Sequence, residues 1–554
     1  MRDGLSFGAS HASPRRAAGK SGWALLWLAA LAAGAWMRIY QLPIQIILDD
    51  EWHAVHKLLH AGYSNIATHF GFADYSIPLT LYFRYLHDHG GLSEWAMHLP
   101  SLIAGLALLA IGPPLVWRWV GRQTAATWAA LAAISPMLVY LAKTARPYAW
   151  TSLLTFVALV AFWRWWHRHG HARAWGAVYV FATALAGWFH LVTLPYTLWP
   201  FLYCGVRQLV RIALRESRRD GSQAMLRLVA LGVLTSAAVA ALLLPPLIMD
   251  WTQFSAKAGT DDVTAASLYR TLLMLVGTGY PLPGIALLTL ALAGAIRLYH
   301  RDRDLALYLL TTCIGGALAI ASTRPAWVFH PAVFARYCVP VLPVLLVFVA
   351  EGCSLLVQGI PWPRIRPVAI GLGAAGLVFA GPIPGYFYFP NQFMGHLRFQ
   401  YDYPPEPQPY ARLGPPEPMP EFYRELGKLP PGSLTLIEAP WRLESHWNPL
   451  PWYQQVHRQR VMIGMVTPVC GVHEFGEFPE DPGMRFRYLA HLSAVLRGET
   501  YGARYLVLHL HSWKTPSDGT VVWPDMTACV ERVESALGPP LTRDSEIVVF
   551  ELKH

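Results

Sequence analysis

Charge is scarce in this chain. Asp, Glu, Lys and Arg make up only 14% of its 554 residues, against about 25% in soluble domains. Such a deficit argues against a wholly soluble globular protein and fits one that faces lipid over much of its surface. Cysteine is scarce too, with Cys204, Cys313, Cys338, Cys353, Cys470 and Cys529 as the full set. The first four lie in or beside apolar runs without CxxC spacing and read as small core residues. Cys470 and Cys529 lie in a polar tail and can pair there if that tail occupies an oxidising compartment. No internal repeat or low-complexity segment is present. A Walker loop and a dinucleotide fingerprint are also missing, so nothing in the motifs argues for a nucleotide-linked substrate.

Apolar residues are abundant instead, at 54%. They come in runs near 20 residues, the length a helix needs to cross a hydrocarbon core of roughly 30 Å. Spans are expected near 22–40, 98–117, 124–141, 148–166, 174–190, 191–206, 228–249, 283–299, 304–322, 337–357 and 367–386, eleven in all. The stretch 266–280 is short and apolar, and reads as an interfacial or re-entrant helix or as one more span. The basic start (Arg2, Arg15, Arg16, Lys20) followed by an apolar run is signal-peptide-like. No small-x-small cleavage site follows it, so the run is read as a retained first span.

The net charge of +10 raises the question of nucleic acid. The arginines sit between the apolar runs and do not gather on one domain, so nucleic acid is set aside in favour of the positive-inside rule. With the N-terminus cytoplasmic, the inside segments hold 20 Lys and Arg and the outside stretches between spans nine, counting Arg38. That orientation leaves two large outside regions, the loop 41–97 and the tail from 387.

The expected organisation is a membrane domain over 1–386, a Pro/Tyr-rich linker over 387–431 and an extracytoplasmic α/β domain over 432–554. The tail carries short β-prone runs at 433–438, 460–464, 505–510 and 546–552, with helical stretches at 485–497 and 526–537 between them. The fold class expected is therefore a polytopic α-helical membrane protein with a C-terminal soluble α/β domain. The aromatic-rich stretch with Trp441, His446, Trp447 and Trp452 could stack on sugar rings, but packing onto the membrane domain is the preferred reading.

Four outside segments could carry chemistry. Asp49-Asp50-Glu51 follows the first span closely; acids so near a bilayer often mark function, although a solvated loop would look the same. Lys143 and Arg146, in the stretch Ser135–Ala149, lie three apart and run against the positive-inside rule. They could bind an anion such as phosphate or snorkel to headgroups. Arg336, opening the tenth span, invites the same two readings. His190 lies in a tight turn between two spans, where a lone histidine is usually a packing residue. His53, His56 and His60 follow the acidic run at helical spacing. With Asp50 they could bind a divalent ion, but ordinary histidines on an amphipathic helix are the preferred reading.

The four segments share one side of the membrane, and in that order they resemble the GT-C superfamily of polyprenyl-phosphate-sugar-dependent glycosyltransferases. The protein O-mannosyltransferase and lipid A aminoarabinose-transferase type is the nearest. The resemblance covers roughly 22–386 and rests on Asp50-Glu51, Ser135-Pro136 through Ala145-Arg146-Pro147-Tyr148-Ala149, the turn 187–190, and Arg336-Tyr337-x-x-Pro340-x-x-Pro343. It implies transfer of a sugar from a lipid-linked phosphate to an acceptor hydroxyl, usually with inversion.

The resemblance assigns Asp50 as general base, with Asp49 as substitute and Glu51 orienting groups nearby. Arg146 and Arg336 would stabilise the departing phosphate, Lys57 would add charge, and Tyr148 and Tyr337 would hydrogen-bond it. His190 and Lys143 are further candidates for substrate contact. Many relatives carry an acid shortly before the Ala-Arg pair, where this chain has Lys143-Thr144. That departure puts family-like metal or acceptor handling in doubt at this point. The partners implied are the membrane, a polyprenyl-phosphate sugar, and a lipid, glycan or protein acceptor. The location implied is a bacterial inner membrane with the tail outside. A lipid-substrate transporter or flippase without chemistry is the alternative from another class; against it, no repeat is evident and the charges sit at one rim.

Overall fold

The computed structural model describes residues 14–40, 42, 51–70, 76–167, 170–214, 218–278, 281–329, 331–381, 383, 419–440, 453, 456–466, 469–470, 489–510 and 526–553. The chain is a polytopic α-helical membrane protein with a C-terminal α/β domain. Helix α1 (Pro14–Ile39) leads into a segment of three helices, α2 (Trp52–His60), α3 (Tyr63–Thr68) and α4 (Ile77–His89). The bundle continues with α5 (Glu94–Val120), α6 (Arg122–Ile134), α7 (Pro136–Ala142), α8 (Tyr148–Trp166), α9 (Ala172–Phe189), α10 (Leu194–Ala213) and α11 (Arg218–Met249). It closes with α12 (Trp251–Ala256), α13 (Ala265–Val276), α14 (Pro281–Arg301), α15 (Arg303–Ser322), α16 (Pro331–Cys338), α17 (Leu342–Gln358) and α18 (Arg366–Phe379).

Helical stretches stand at all eleven expected positions. Among the described residues, six are long and apolar enough to cross a bilayer: α1, α5, α11, α14, α15 and the α16–α17 unit. The pair α6–α7, bent by 60°, makes a seventh if it is one span. Much of α8 is buried inside the bundle, where its Thr151 and Ser152 hydroxyls bond back to Tyr148 O. The stretch 266–280 proves to be α13, a 12-residue helix too short to span, opened by a Thr264–Ser267 capping box.

Close packing fixes the helix pairs. α14 and α17 touch backbone to backbone at two glycines. A Cβ added at Gly294 would lie 1.8 Å from Phe348 O, and one at Gly352 would lie 2.0 Å from Leu290 O. Small residues of this kind let membrane helices approach closely. Further along the same pair, Glu351 of α17 is fully buried and bound by Arg297 and Arg301 of α14 and by Thr124 of α6.

The α/β domain begins with α19 (Glu421–Leu426), inside the stretch expected to be linker. It is followed by β1 (Thr435–Ala439), β2 (Arg460–Met465), β3 (Leu489–His491), α20 (Leu492–Leu496), β4 (Tyr505–His509), α21 (Met526–Leu537), β5 (Thr542–Arg543) and β6 (Ile547–Glu551). The sheet order is β3–β2–β1–β4–β6–β5. β1 to β4 are parallel, while β6 is antiparallel to both β4 and β5. Four strands match the expected runs; β3 and β5 are too short to announce themselves. The expected helix over 485–497 is instead β3 followed by α20, because Leu489–His491 pairs with β2. A disulfide joins Cys470 to Cys529.

One sheet face packs on α21. The other, with Leu436, Val507 and Val549, belongs to an apolar cluster that also holds Val55 and Leu58 of α2, Phe83 of α4 and Ala145. The α/β domain therefore packs on the helices α2 and α4 that follow α1. Trp441, His446, Trp447 and Trp452 lie outside the described residues.

Candidate active site

The site is built on a helix break. Pro136 has no N–H to give to the carbonyl four residues back, and the span bends between α6 and α7. The freed carbonyls are taken by Arg38 of α1, whose guanidinium donates to Ala132 O at 3.0 Å and Ala133 O at 3.1 Å. It also donates to Gly34 O on its own helix. A buried arginine inside a membrane domain is expected to be engaged with backbone carbonyls in this manner. Past α7, the Lys143 ammonium donates to Tyr40 O at 2.7 Å. The end of α1 is thus stitched to both sides of the break.

The break delivers the turn 142–147, which is seated on one face of α5. His98, Ser101 and Gly105 follow the helical period of three and four. Ser101 Oγ donates to Arg146 O at 3.0 Å. Gly105 leaves room for Ala142, whose Cβ would lie 2.4 Å from a Cβ added there. His98 Nε2 lies 3.0 Å from Glu51 Oε1. That same oxygen accepts the backbone N–H of Ala145 at 2.5 Å. Glu51, 1% exposed, therefore ties the acidic segment to the cationic turn.

Five further contacts close the cluster. Arg336 lies over the Tyr148 ring, 5.6 Å from its centroid. The His190 ring stands 5.5 Å from Tyr148 and 6.0 Å from Tyr337. Trp150 stacks on Phe189 at 5.2 Å, and Ser76 Oγ donates to Phe189 O at 3.0 Å, tying the His190 turn to α4. Four segments that lie far apart in sequence meet at one end of the bundle.

Electrostatics follow from this crowding. Burial, then the like charges of Arg146 and Arg336, push the His190 imidazolium down to about 3. His190 is therefore neutral near pH 7. Its Nδ1 accepts the Val192 N–H at 3.2 Å, which leaves the proton on Nε2. Burial lowers the Lys143 ammonium to about 7.

The remaining sequence candidates fall as follows. Glu51, Arg146, Tyr148, His190, Arg336 and Tyr337 come together. Lys143 is 3% exposed and sits on Tyr40 O. Lys57 donates to Asn65 Oδ1 at 2.7 Å; burial lowers it and the nearby Asp250 charge raises it, with burial the larger effect. Asp49, Asp50 and the side chain of His56 lie outside the described residues. Among the described residues, no group of three or more His, Cys, Asp or Glu side chains could hold a metal ion.

Arg38, Ser76, His98 and Ser101 were not singled out from sequence. Only Arg38 carried a signal, a charge at the end of an apolar run. The bonds of the others join residues 45 to 113 positions apart.

An apolar groove of about 860 Å³ empty volume, open solvent included, begins at the same break. Leu131 and Pro136 lie at its α6–α7 end, with Leu275 of α13, Leu287 of α14 and Leu342 and Leu346 of α17 along it.

No protein-family model matches the chain, and no curated protein matches it in sequence. Solved structures do. ArnT from Cupriavidus metallidurans in the apo state is 15% identical, with 96% of this chain and 98% of that chain covered and a TM-score of 0.47. The same protein bound to undecaprenyl phosphate gives 15% identity, the same coverage and a TM-score of 0.42. The Archaeoglobus fulgidus oligosaccharyltransferase AglB, in complex with an inhibitory peptide and a dolichol-phosphate, is 14% identical, with 88% and 69% covered and a TM-score of 0.43. Both proteins are members of the GT-C superfamily.

Proposed function

We propose that this chain transfers a sugar from a polyprenyl-phosphate donor to an acceptor hydroxyl at the non-cytoplasmic face of a bacterial inner membrane, with inversion. The observation that carries the reading is the cluster itself. Two guanidinium groups act on one neutral histidine, beside the acidic segment that Glu51 ties to their turn. The apolar groove starting at the same break supports a donor with a lipid tail. The disulfide between Cys470 and Cys529 supports a tail in an oxidising compartment.

In the proposed reaction Asp50 takes the acceptor proton as the acceptor oxygen attacks the anomeric carbon. Asp49 is the substitute base. The bond from that carbon to the phosphate oxygen breaks, and the electron pair leaves with the phosphate. Arg146 and Arg336 meet the charge that develops there. His190 Nε2–H, Tyr148 and Tyr337 offer further hydrogen bonds. Glu51, next to Asp50 in the chain, holds the cationic turn.

The test uses purified protein, a panel of radiolabelled polyprenyl-phosphate sugars and a membrane extract as acceptor source. Label transfer by wild type, lost in folded Asp50→Asn, is the expected result. Transfer that survives in Asp50→Asn and falls in Asp49→Asn moves the base to Asp49. Transbilayer movement of the lipid donor without label transfer would overturn the reading.

A further inference from the structure

The reaction as written gives Arg38 no part, although it is fully buried at the break that carries the site. Its guanidinium directs all three of its bonds to backbone carbonyls: Gly34 O at 2.9 Å, Ala133 O at 3.1 Å and Ala132 O at 3.0 Å. Its Nε has no partner. Small residues let the helices close around it. A Cβ added at Gly34 would lie 2.9 Å from Ala133 Cβ. One added at Gly105 would lie 3.4 Å from Arg38 Nε and 2.4 Å from Ala142 Cβ. Gly105 of α5 therefore meets the arginine and the far end of α7 at once.

Two of these carbonyls fix the angle of the break. Ala132 O stands four residues before Pro136, which has no N–H to offer it. In hydrocarbon no water can stand in for that donor. With Arg38 removed, both carbonyls have to seek N–H groups elsewhere along the chain, and the 60° bend between α6 and α7 changes with them. The 7 residues of α7 form a lever of about 10 Å, so a change of about 10° at the break moves Ala142 by about 2 Å. Arg146 follows four residues later in the same turn, its carbonyl held by Ser101 Oγ. A misplacement of about 1 Å can cost about 10²-fold in rate.

We propose that Arg38 is a positioning residue for the transfer: it holds the angle between α6 and α7, and with it the place of Arg146 against the leaving phosphate. It touches neither donor nor acceptor. A guanidinium suits this task because its planar fork presents several N–H groups in fixed directions, and here it joins carbonyls of α1 and α6. The effect on rate rests on the glycosyl-transfer reading; the effect on the turn does not.

The test uses the full chain in lipid nanodiscs and two readouts: donor kinetics, and amine acetylation of Lys143 followed by mass spectrometry. Lys143 donates to Tyr40 O and is 3% exposed, so its labelling reports the seat of the turn. Lys428, with its side chain 68% exposed, is the internal standard. In folded Arg38→Met, labelling of Lys143 is expected to rise while that of Lys428 stays. There kcat is expected to fall by about 10²-fold, with a smaller change in donor KM. Arg38→Met combined with Pro136→Ala gives Ala132 O an N–H again. This double variant is expected to regain Tm over Arg38→Met yet keep the labelled Lys143 and the low kcat, because the turn is still misplaced. Should Arg38→Met not fold, the double variant decides against Pro136→Ala, in which Arg38 still holds the carbonyls and Lys143 stays protected. Wild-type protection of Lys143 in Arg38→Met overturns the proposal, whether or not the wild type transfers sugar. So does a kcat that returns together with Tm in the double variant, which would make Arg38 a stabilising residue alone. Absence of transfer by wild type, with Lys143 exposed in Arg38→Met, overturns the glycosyl-transfer reading and upholds the effect on the turn.

Discussion

Glu51 Oε1 accepts the backbone N–H of Ala145 at 2.5 Å, across 94 residues of sequence. The same oxygen meets His98, and the residue after Ala145 is Arg146. Glu51 and the cationic turn after the helix break are therefore one mechanical unit. Whatever moves Glu51 moves Arg146.

That relationship predicts a split between two substitutions. Glu51→Gln keeps a carbonyl oxygen for the Ala145 amide, and the turn holds. Glu51→Ala leaves the amide and His98 without their acceptor, at a cost of about 1–3 kcal/mol for each stranded group. The expected outcome is a clearly lowered Tm in detergent for Glu51→Ala and a smaller shift for Glu51→Gln. Equal losses in both variants would mean that the charge of Glu51, rather than the bond, is what matters.

The two kinds of cation near the site separate in the same way. Arg146→Met or Arg336→Met removes charge that in the proposed reaction faces the phosphate, and transfer is expected to fall by about 10²-fold or more, as for other lost contacts to developing charge. Lys143→Met removes an ammonium committed to Tyr40 O. It is expected to cost about 1 kcal/mol of stability and to leave donor KM near its wild-type value. Steady-state kinetics with the lipid donor, alongside thermal unfolding, reads both. A large KM change in Lys143→Met would make Lys143 a phosphate ligand.

His190 gives a pH dependence whose sign is fixed. Its folded pKa is depressed to about 3, against about 6.5 for an unperturbed imidazole. Between those values the unfolded chain binds the extra proton and the folded chain does not, so stability falls as pH drops through that window. His190→Gln, which does not titrate, is expected to lose less Tm between pH 6.5 and 4 than wild type. A polyprenyl phosphate bound between Arg146 and Arg336 offsets their charge, and the difference between the two proteins is expected to shrink when it is added. A pH slope identical in wild type and His190→Gln would show that neither burial nor the two arginines hold this ring neutral.

The α14–α17 contact predicts the cost of a single methyl. Gly294→Ala and Gly352→Ala each push a Cβ into backbone of the partner helix at 2.0 Å or less. Overpacking of that kind costs about 1–3 kcal/mol. Both helices wall the apolar groove, so donor KM is expected to rise along with the loss of stability. Thermal unfolding and donor titration of the two alanine variants check this; a wild-type Tm in both would mean that the helices do not approach so closely.

Much of the architecture was legible in the chain because its cause is local. Runs such as Leu102–Leu109 or Leu342–Phe348 announce lipid-length helices through composition alone, and Thr435–Glu438 or Ile547–Phe550 announce strands through branched and apolar residues. That α19 joins the α/β domain was not legible, because it does so through Tyr423 and Leu426, in contacts to residues 15 to 86 positions further along the chain. The candidate site was legible as four separate segments carrying acids, arginines and a histidine.

Sequence by itself determined the medium and the inventory: too little charge for water on all sides, helices of membrane length, an α/β tail, and the residue types that could meet a phosphate. Both are set by composition and by spacing along one chain segment. Tertiary structure decided which members of that inventory work together. It seated Lys143 on a carbonyl of α1 and turned Glu51 into the anchor of the cationic turn. Arg38 became the cap of a broken helix, and Arg146 and Arg336 were gathered on His190. Those outcomes depend on which backbone groups a proline leaves free and which helix faces meet across the bundle. Neither is encoded within any single stretch of the chain.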